Sequence, residues 1–203
     1  MRWIHSEDFR AVVRLCRDAG FSEDRGYALC LLLLPTYREK YLNAKVEGEI
    51  KPMTPEEIAI SKRKCRDLFL YIFSKPVEES LAEQEDLIDE LIKLIWFREK
   101  IDMILDQMLD FRGVGNGYVY KMIIKQCYFD DEIRPNKEIY NRLGEGVGRS
   151  NFYDKRITGT LLFGIMMWKY ALRRQKEEME EGIIPWKELP QNNEDLSKLR
   201  PIK

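Results

Sequence analysis

The chain has 203 residues, of which 44% are hydrophobic and 34% charged, and its formal net charge is −1. These values indicate a soluble, globular protein of one or two domains. His5 is the only histidine, which nearly excludes a histidine-rich metal site and a triad base. Cys16, Cys30, Cys65 and Cys127 lie too far apart for a metal or redox motif. We therefore expect reduced core thiols, no metal or other cofactor, and a cytoplasmic location.

The N-terminal region reads as two helices. Residues 6–19 open with a serine cap and acidic residues, and the pattern closes at Gly20. Residues 22–45 contain the apolar run "YALCLLLL" and then Pro35. We expect Pro35 to end or kink this helix, because its ring displaces the hydrogen bond behind it.

A glycine- and proline-containing connector at residues 46–53 comes before the next start signal. Thr54 as cap, Pro55 at the first helical position and Glu57 at the third predict a well-defined helix start. Residues 76–111 then show a long, acidic, amphipathic pattern, which predicts one long helix.

Glycines then separate two further helices. "RGVGNG" interrupts the acidic helix, "YVYKMIIKQCYF" predicts the next one, and "DDEIRPN" predicts a turn. Asn136 is the expected cap of a short helix, "KEIYNRL". The glycines of "GEGVG" permit a reversal, after which a second helix begins near Arg149 with Gly148 or Ser150 as its cap. Phe152 is the expected anchor between these two helices.

The opening of this last helix carries the strongest functional signal. Arginine and asparagine can hydrogen-bond base edges, whereas lysine, serine and tyrosine can hold phosphates. Six side chains of these types are expected on or beside the exposed face of its first two turns: Arg149, Ser150, Asn151, Tyr153, Lys155 and Arg156. Lys137 and Arg142 in the preceding helix would clamp phosphates. The alternative is a helical hairpin whose basic face is only solvated.

Charge is distributed unevenly along the chain. Residues 76–111 carry three basic and eleven acidic side chains, whereas residues 131–176 carry ten basic and five acidic ones. The basic block contains the opening of the last helix, which favours a polyanionic partner. Internal ion pairing between the blocks is the alternative.

The segment from about residue 85 to 175 resembles phage late-gene transcription regulators of the ArpU/RinA type. The similarity rests on the long helix, on "YVYKMIIKQCYF", and on "RSNFYDKRITGTLLFG", in which Phe152 and Tyr153 match an aromatic pair. The resemblance implies a helix-turn-helix akin to the promoter-reading region of sigma factors. Tyr140 stands where such motifs usually have alanine, and "GEGVG" is about two residues longer than their usual turn.

The C-terminal helix is apolar around most of its circumference between Ile157 and Leu172. Such a helix must be buried, and we expect the N-terminal helices to cover it, with a homodimer as the alternative. Its apolar run is too short to span a membrane.

The carboxylate pairs, such as Asp102 and Asp106, are expected on a solvated surface. "GEGVG" lacks the strand and lysine of a nucleotide loop, so we expect no enzyme.

Together these patterns predict an all-α fold: a helical bundle with a C-terminal helix-turn-helix and a long C-terminal helix. The expected regions are 1–50, 54–130, 131–182 and an extended tail at 183–203. The expected function is that of a sequence-specific regulator that binds double-stranded DNA, with RNA polymerase as a further partner. The alternative is a helical assembly protein, such as a phage DNA-packaging small subunit.

Overall fold

The computed structural model describes residues 6–50, 53–70, 86–111, 114–144, 147 and 149–185. Within these ranges the regular elements are helices, and the all-α prediction is confirmed. The helices are α1 (Glu7–Asp18), α2 (Glu23–Val46), α3 (Pro55–Leu70), α4 (86–92), α5 (Ile95–Gln107), α6 (Val114–Ile124), α7 (Asn136–Arg142) and α8 (Arg149–Glu180). A 3-10 turn, Met108–Asp110, follows α5, and a π-turn, Lys125–Phe129, continues α6. None of the described helices is both long and apolar enough to cross a membrane.

Helix α8 is the centre of the bundle. It packs against α1, α2, α3, α5, α6 and α7, so that helices of the same chain cover it. Seven of its large side chains are buried in this way: Leu161, Leu162, Phe163, Ile165, Met167, Trp168 and Tyr170. This burial confirms the prediction that other helices of the chain cover the apolar surface of α8.

Local signals fix the starts of two helices. The Ser6 hydroxyl accepts a hydrogen bond from the backbone N–H of Phe9 at 3.1 Å. The Thr54 backbone N–H donates to the Glu57 carboxylate at 2.8 Å, and the Glu57 N–H donates to the Thr54 hydroxyl at 3.3 Å. Both N-terminal predictions are therefore confirmed, including the reciprocal capping box at α3.

Polar contacts tie the N-terminal helix to the rest of the bundle. The Trp168 indole N–H donates to the carbonyl oxygen of Ala19 at 3.0 Å, which joins α8 to the end of α1. The Tyr120 hydroxyl donates to the Asp8 carboxylate at 2.6 Å, which joins α6 to the beginning of α1. The four cysteines are free and buried, as expected of core thiols.

Helix α2 does not end at Pro35. It continues to Val46, close to the predicted extent of 22–45, so of the two effects expected of Pro35 the helix end is wrong. Pro35 lies on the exposed side of α2, close to the half-exposed Leu31, whose carbonyl loses its hydrogen-bond donor there. Water can satisfy a carbonyl at such a surface. The buried Leu34 and Tyr37 meanwhile hold both halves of α2 against the core.

The prediction of a single long helix at residues 76–111 is also wrong. The helix breaks at residues 93–94, where Leu94 is extended with φ −105° and ψ 119°. A straight helix would place Ile95 on the buried stripe of Ile88 and Leu91. It would place Phe97 on the exposed side of Glu90 and Lys93. The break buries Phe97 and leaves the smaller Ile95 41% exposed, which removes more apolar surface from water. Residues 76–85 lie outside the described ranges.

Acidic side chains of α4 pair with cations of neighbouring helices. Lys40 of α2 contacts Asp89 at 2.6 Å, and Lys64 of α3 pairs with Glu90. Nearby, Lys93 contacts Glu49 at 2.8 Å. Internal pairing therefore absorbs part of the acidic block, in line with the simpler interpretation of its charge pattern.

A buried ion pair connects α3 to α8. The Arg66 guanidinium, 8% exposed, binds the Glu178 carboxylate, 1% exposed, and also contacts Asp67 at 2.7 Å. Arg174 approaches the other oxygen of Glu178 at 3.5 Å. The burial of Glu178 is tolerable because two guanidinium groups surround it.

We predict that Glu178→Ala lowers the free energy of unfolding by about 3 kcal/mol, because it leaves Arg66 buried with only Asp67 as a partner. Urea denaturation measures the change. The double variant Arg66→Met, Glu178→Leu removes both charges and should be close to wild type. A double variant as unstable as Glu178→Ala would show that the pair itself, rather than the orphaned charge, sets the cost.

Candidate nucleic-acid interface

Helices α7 and α8 form a two-helix corner. Gly144, just after α7, has a φ of +91°, a left-handed conformation that favours glycine. Val147, between the helices, is buried. Residues 145, 146 and 148 lie outside the described ranges, and so does the expected cap Gly148. Ser150 lies inside α8 and is therefore not its cap.

Aromatic packing holds the corner together. Phe152 is fully buried, and its ring centroid lies 5.8 Å from that of Tyr140 and 5.4 Å from that of Tyr153. This confirms Phe152 as the anchor between α7 and α8. Ile139 of α7 is 1% exposed and adds to the same core. The side chain of Tyr140 thus fits this corner as a packing partner of Phe152.

A polar contact adds to this packing. The Asn136 amide donates to the Tyr153 hydroxyl at 3.4 Å, which links the start of α7 to the residue that directly follows the buried anchor of α8. The prediction that Asn136 caps α7 is wrong, because Pro135 occupies that position and Asn136 is already helical. The side chain of Asn136 bonds across the corner instead of to its own helix.

Three of the six expected DNA-binding side chains in α8 are exposed together. They are consecutive and form its first turn: Arg149, Ser150 and Asn151. The first backbone N–H groups of a helix lack intrahelical acceptors and carry partial positive charge. The first turn of α8 therefore combines a guanidinium, a hydroxyl, an amide and the positive end of a 32-residue helix.

The other three side chains are half-buried, so the second turn of α8 is less open than expected. The Lys155 ammonium lies 5.2 Å from the ring centroid of Tyr120, and the Arg156 guanidinium lies 5.2 Å from that of Tyr153. Both contacts have cation–π geometry. These rings hold the long side chains against the bundle and limit their reach into solvent.

The surroundings of this second turn are partly acidic and partly buried. The same Tyr120 ring that supports Lys155 donates a hydrogen bond from its hydroxyl to the Asp8 carboxylate. Arg156 lies close to the Cys127 thiol. Burial raises the pKa of Cys127 to about 11, and the positive charge of Arg156 acts in the opposite direction. Arg156 therefore faces the bundle as well as solvent.

The two cations expected from α7 are both exposed. Arg142 contacts Glu138 one turn earlier at 2.7 Å, and both side chains reach solvent. Such surface pairs contribute little stability, so a phosphate can replace the carboxylate at low cost. Lys137 has no carboxylate partner among the described residues and is the more available of the two.

Sequence reasoning missed the residues that position the site. Tyr120 supports Lys155 across an interval of 35 positions, and Asn136 bonds to Tyr153 across 17. Neither contact follows from helical periodicity, because each depends on how two helices cross.

No protein-family model, no curated protein and no solved structure matches this chain. The described part of the chain contains no cluster of histidine, cysteine and carboxylate side chains that could hold a metal ion. The polar groups that the first turn of α8 exposes are the side chains of Arg149, Ser150 and Asn151. These groups suit contact with an anionic, hydrogen-bonding surface.

We predict that Phe152→Ala lowers the free energy of unfolding by about 3–5 kcal/mol, because it opens a cavity at the anchor of the corner. Tyr118→Ala is the matched aromatic control, since Tyr118 is 51% exposed, and should change stability by about 0.5 kcal/mol or less. Urea denaturation compares the two. Equal losses would mean that the corner does not depend on Phe152.

Proposed function

We propose that this protein is a sequence-specific regulator that binds double-stranded DNA through the first turn of α8. The observation that carries the proposal is the joint exposure of Arg149, Ser150 and Asn151 at the start of a helix that is otherwise held by the bundle. A rigid support lets a few side chains meet base edges in a fixed register.

Each exposed group has a chemical role in this proposal. Arg149 would donate two hydrogen bonds to a guanine edge in the major groove, and Asn151 would pair with an adenine edge. Ser150 and the first N–H groups of α8 would bind a phosphate. Lys137 and Arg142 of α7 would hold phosphates beside the groove.

The second turn takes a supporting role. Tyr153 braces the corner through Asn136, whereas Lys155 and Arg156 add positive charge at its edge. This differs from a base-reading role for all six side chains. Positive charge that stays within a Debye length of the duplex still raises affinity without reading sequence.

The resemblance to phage late-gene regulators suggests a cytoplasmic protein of phage or prophage origin that binds at a promoter. It would act by positioning a partner there and not by catalysis. RNA polymerase would be its partner in that setting. The carboxylates of Asp89 and Glu90 are paired within the bundle. A polymerase contact would therefore draw on other acidic side chains, such as the exposed Glu180 and Glu181 at the end of α8.

The half-buried second turn favours one alternative, a helical assembly protein in which the corner only packs. A phage DNA-packaging small subunit would be of this kind. Light scattering separates the two, because a packaging subunit forms a stable ring. A monomer or dimer fits the regulator.

Gel-shift titration of the full chain against duplex DNA tests the proposal. We expect binding at low salt that weakens steeply as salt increases, because bound phosphates release counterions. Selection from a randomised duplex pool should recover a preferred site. Failure to bind any duplex at low salt would contradict the proposal.

Two alanine variants separate base contacts from phosphate contacts. Arg149→Ala should cost about 1–3 kcal/mol at the preferred site and relax the preference at one position. Lys137→Ala should weaken all sequences about equally and reduce the salt slope by about 1. Arg63→Ala, which removes an exposed charge from α3, is the control and should bind as wild type. Equal, sequence-independent losses for Arg149→Ala and Lys137→Ala would mean that α8 contacts only phosphate.

A further inference from the structure

A second group of cations lies where α3, α5 and α8 meet, near the other end of α8. We call it the cation cluster, and it consists of Lys62 of α3, Lys100 of α5 and Arg173 of α8. Lys62 and Lys100 are half-buried and Arg173 is exposed. Helices α3 and α5 each pack against α8, so side chains from three separate parts of the sequence reach one surface.

Aromatic rings hold the cluster in place. The Lys100 ammonium lies 5.5 Å from the ring centroid of Trp96 and 5.4 Å from that of Tyr170. The Arg173 guanidinium lies 5.7 Å from the same Tyr170 ring. Both rings are buried, so they serve as fixed supports and not as binding surfaces. Supports of this kind reduce the entropy lost when a ligand binds.

The cluster lacks matching carboxylates. Among the residues that the structure describes, neither Lys62 nor Lys100 has an ion-pair partner, and Arg173 reaches only Glu177 at 3.8 Å. Burial lowers the pKa of Lys100, and the nearby Lys62 and Arg173 lower it further. Cations that repel one another in this way are stabilised by an anion placed between them.

We propose that Lys62, Lys100 and Arg173 form a binding site for the phosphate group of a small molecule. The two ammonium groups supply point charges, and the guanidinium supplies paired N–H donors for two oxygens. Lys100 is the central member, because its ammonium touches both supporting rings.

A discrete phosphate fits this surface better than a nucleic-acid strand. Three glutamates that reach solvent follow the cluster, namely Glu177 and Glu180 in the last turns of α8 and Glu181 just after it. A long polyanion lying along the helix would meet them. Tyr170 is also about 32 Å from Arg149 along α8, at the rise of an α-helix. The cation cluster is therefore separate from the proposed DNA interface and does not depend on it.

Calorimetric titration of the full chain with inorganic pyrophosphate at low ionic strength tests the site. We expect saturable binding at one site, and an NMR spectrum in which the signals of Lys62 and Lys100 move most. Lys100→Met keeps a flexible chain on the two rings but removes the charge, so it should fold normally and weaken binding about tenfold or more. Lys169→Met removes an exposed charge elsewhere on α8 and should change Kd less than about twofold.

Several outcomes would overturn the site: no saturable binding, equal Kd values for Lys100→Met and wild type, or equal losses in the two methionine variants. Competition with duplex DNA separates the ligand sources. Displacement of pyrophosphate by duplex would assign the cluster to nucleic acid and contradict the small-molecule proposal. Arg149→Ala should leave pyrophosphate binding intact, so that failure at the DNA interface and failure here are distinguishable.

Discussion

Burial of α8 is the constraint on which the rest of the structure depends. Six helices of the same chain cover its apolar circumference, so its direction is fixed by packing from both sides. Polar side chains remain exposed mainly at its two ends. The first turn presents Arg149 and Asn151, and the far end presents Arg173 beside Lys100. Both proposed sites are therefore presented by one rigid element, whose ends differ in charge and in surroundings. A rigid support of this kind is what a base-reading helix requires.

Ion pairing within the bundle determines which charges can serve a partner. The formal charge is nearly balanced, and three cations of α2 and α3 pair with carboxylates of α4 and α8. Regional charge counts thus overstate the charge available for binding. Cations that have no close carboxylate in the described ranges indicate a binding surface better than the charge counts of whole segments do. Lys137, Arg149, Lys62 and Lys100 are of this kind, and they lie in two separate places.

The sequence predicted features that depend on local or helical patterns. The buried anchor Phe152 and the enclosure of α8 followed from apolar spacing. The break at Leu94 did not, because a straight helix fits most of the same apolar pattern and the break is favoured by the burial of one ring, that of Phe97. Whether α2 continues past Pro35 depends on which side of the helix faces water. The contact between Lys155 and the Tyr120 ring joins residues that are distant in sequence, so helical periodicity carries no information about it.

Selective thiol labelling tests the central claim, that the first turn of α8 is open on a buried helix and faces DNA. The native cysteines are buried, and burial raises the pKa of Cys16, Cys30 and Cys65 to about 12, so they should react slowly. A Ser150→Cys variant of the folded chain should react rapidly with a maleimide, and its preferred duplex should suppress that reaction. Slow labelling of free Ser150→Cys, or rapid labelling that saturating duplex leaves unchanged, would contradict the account.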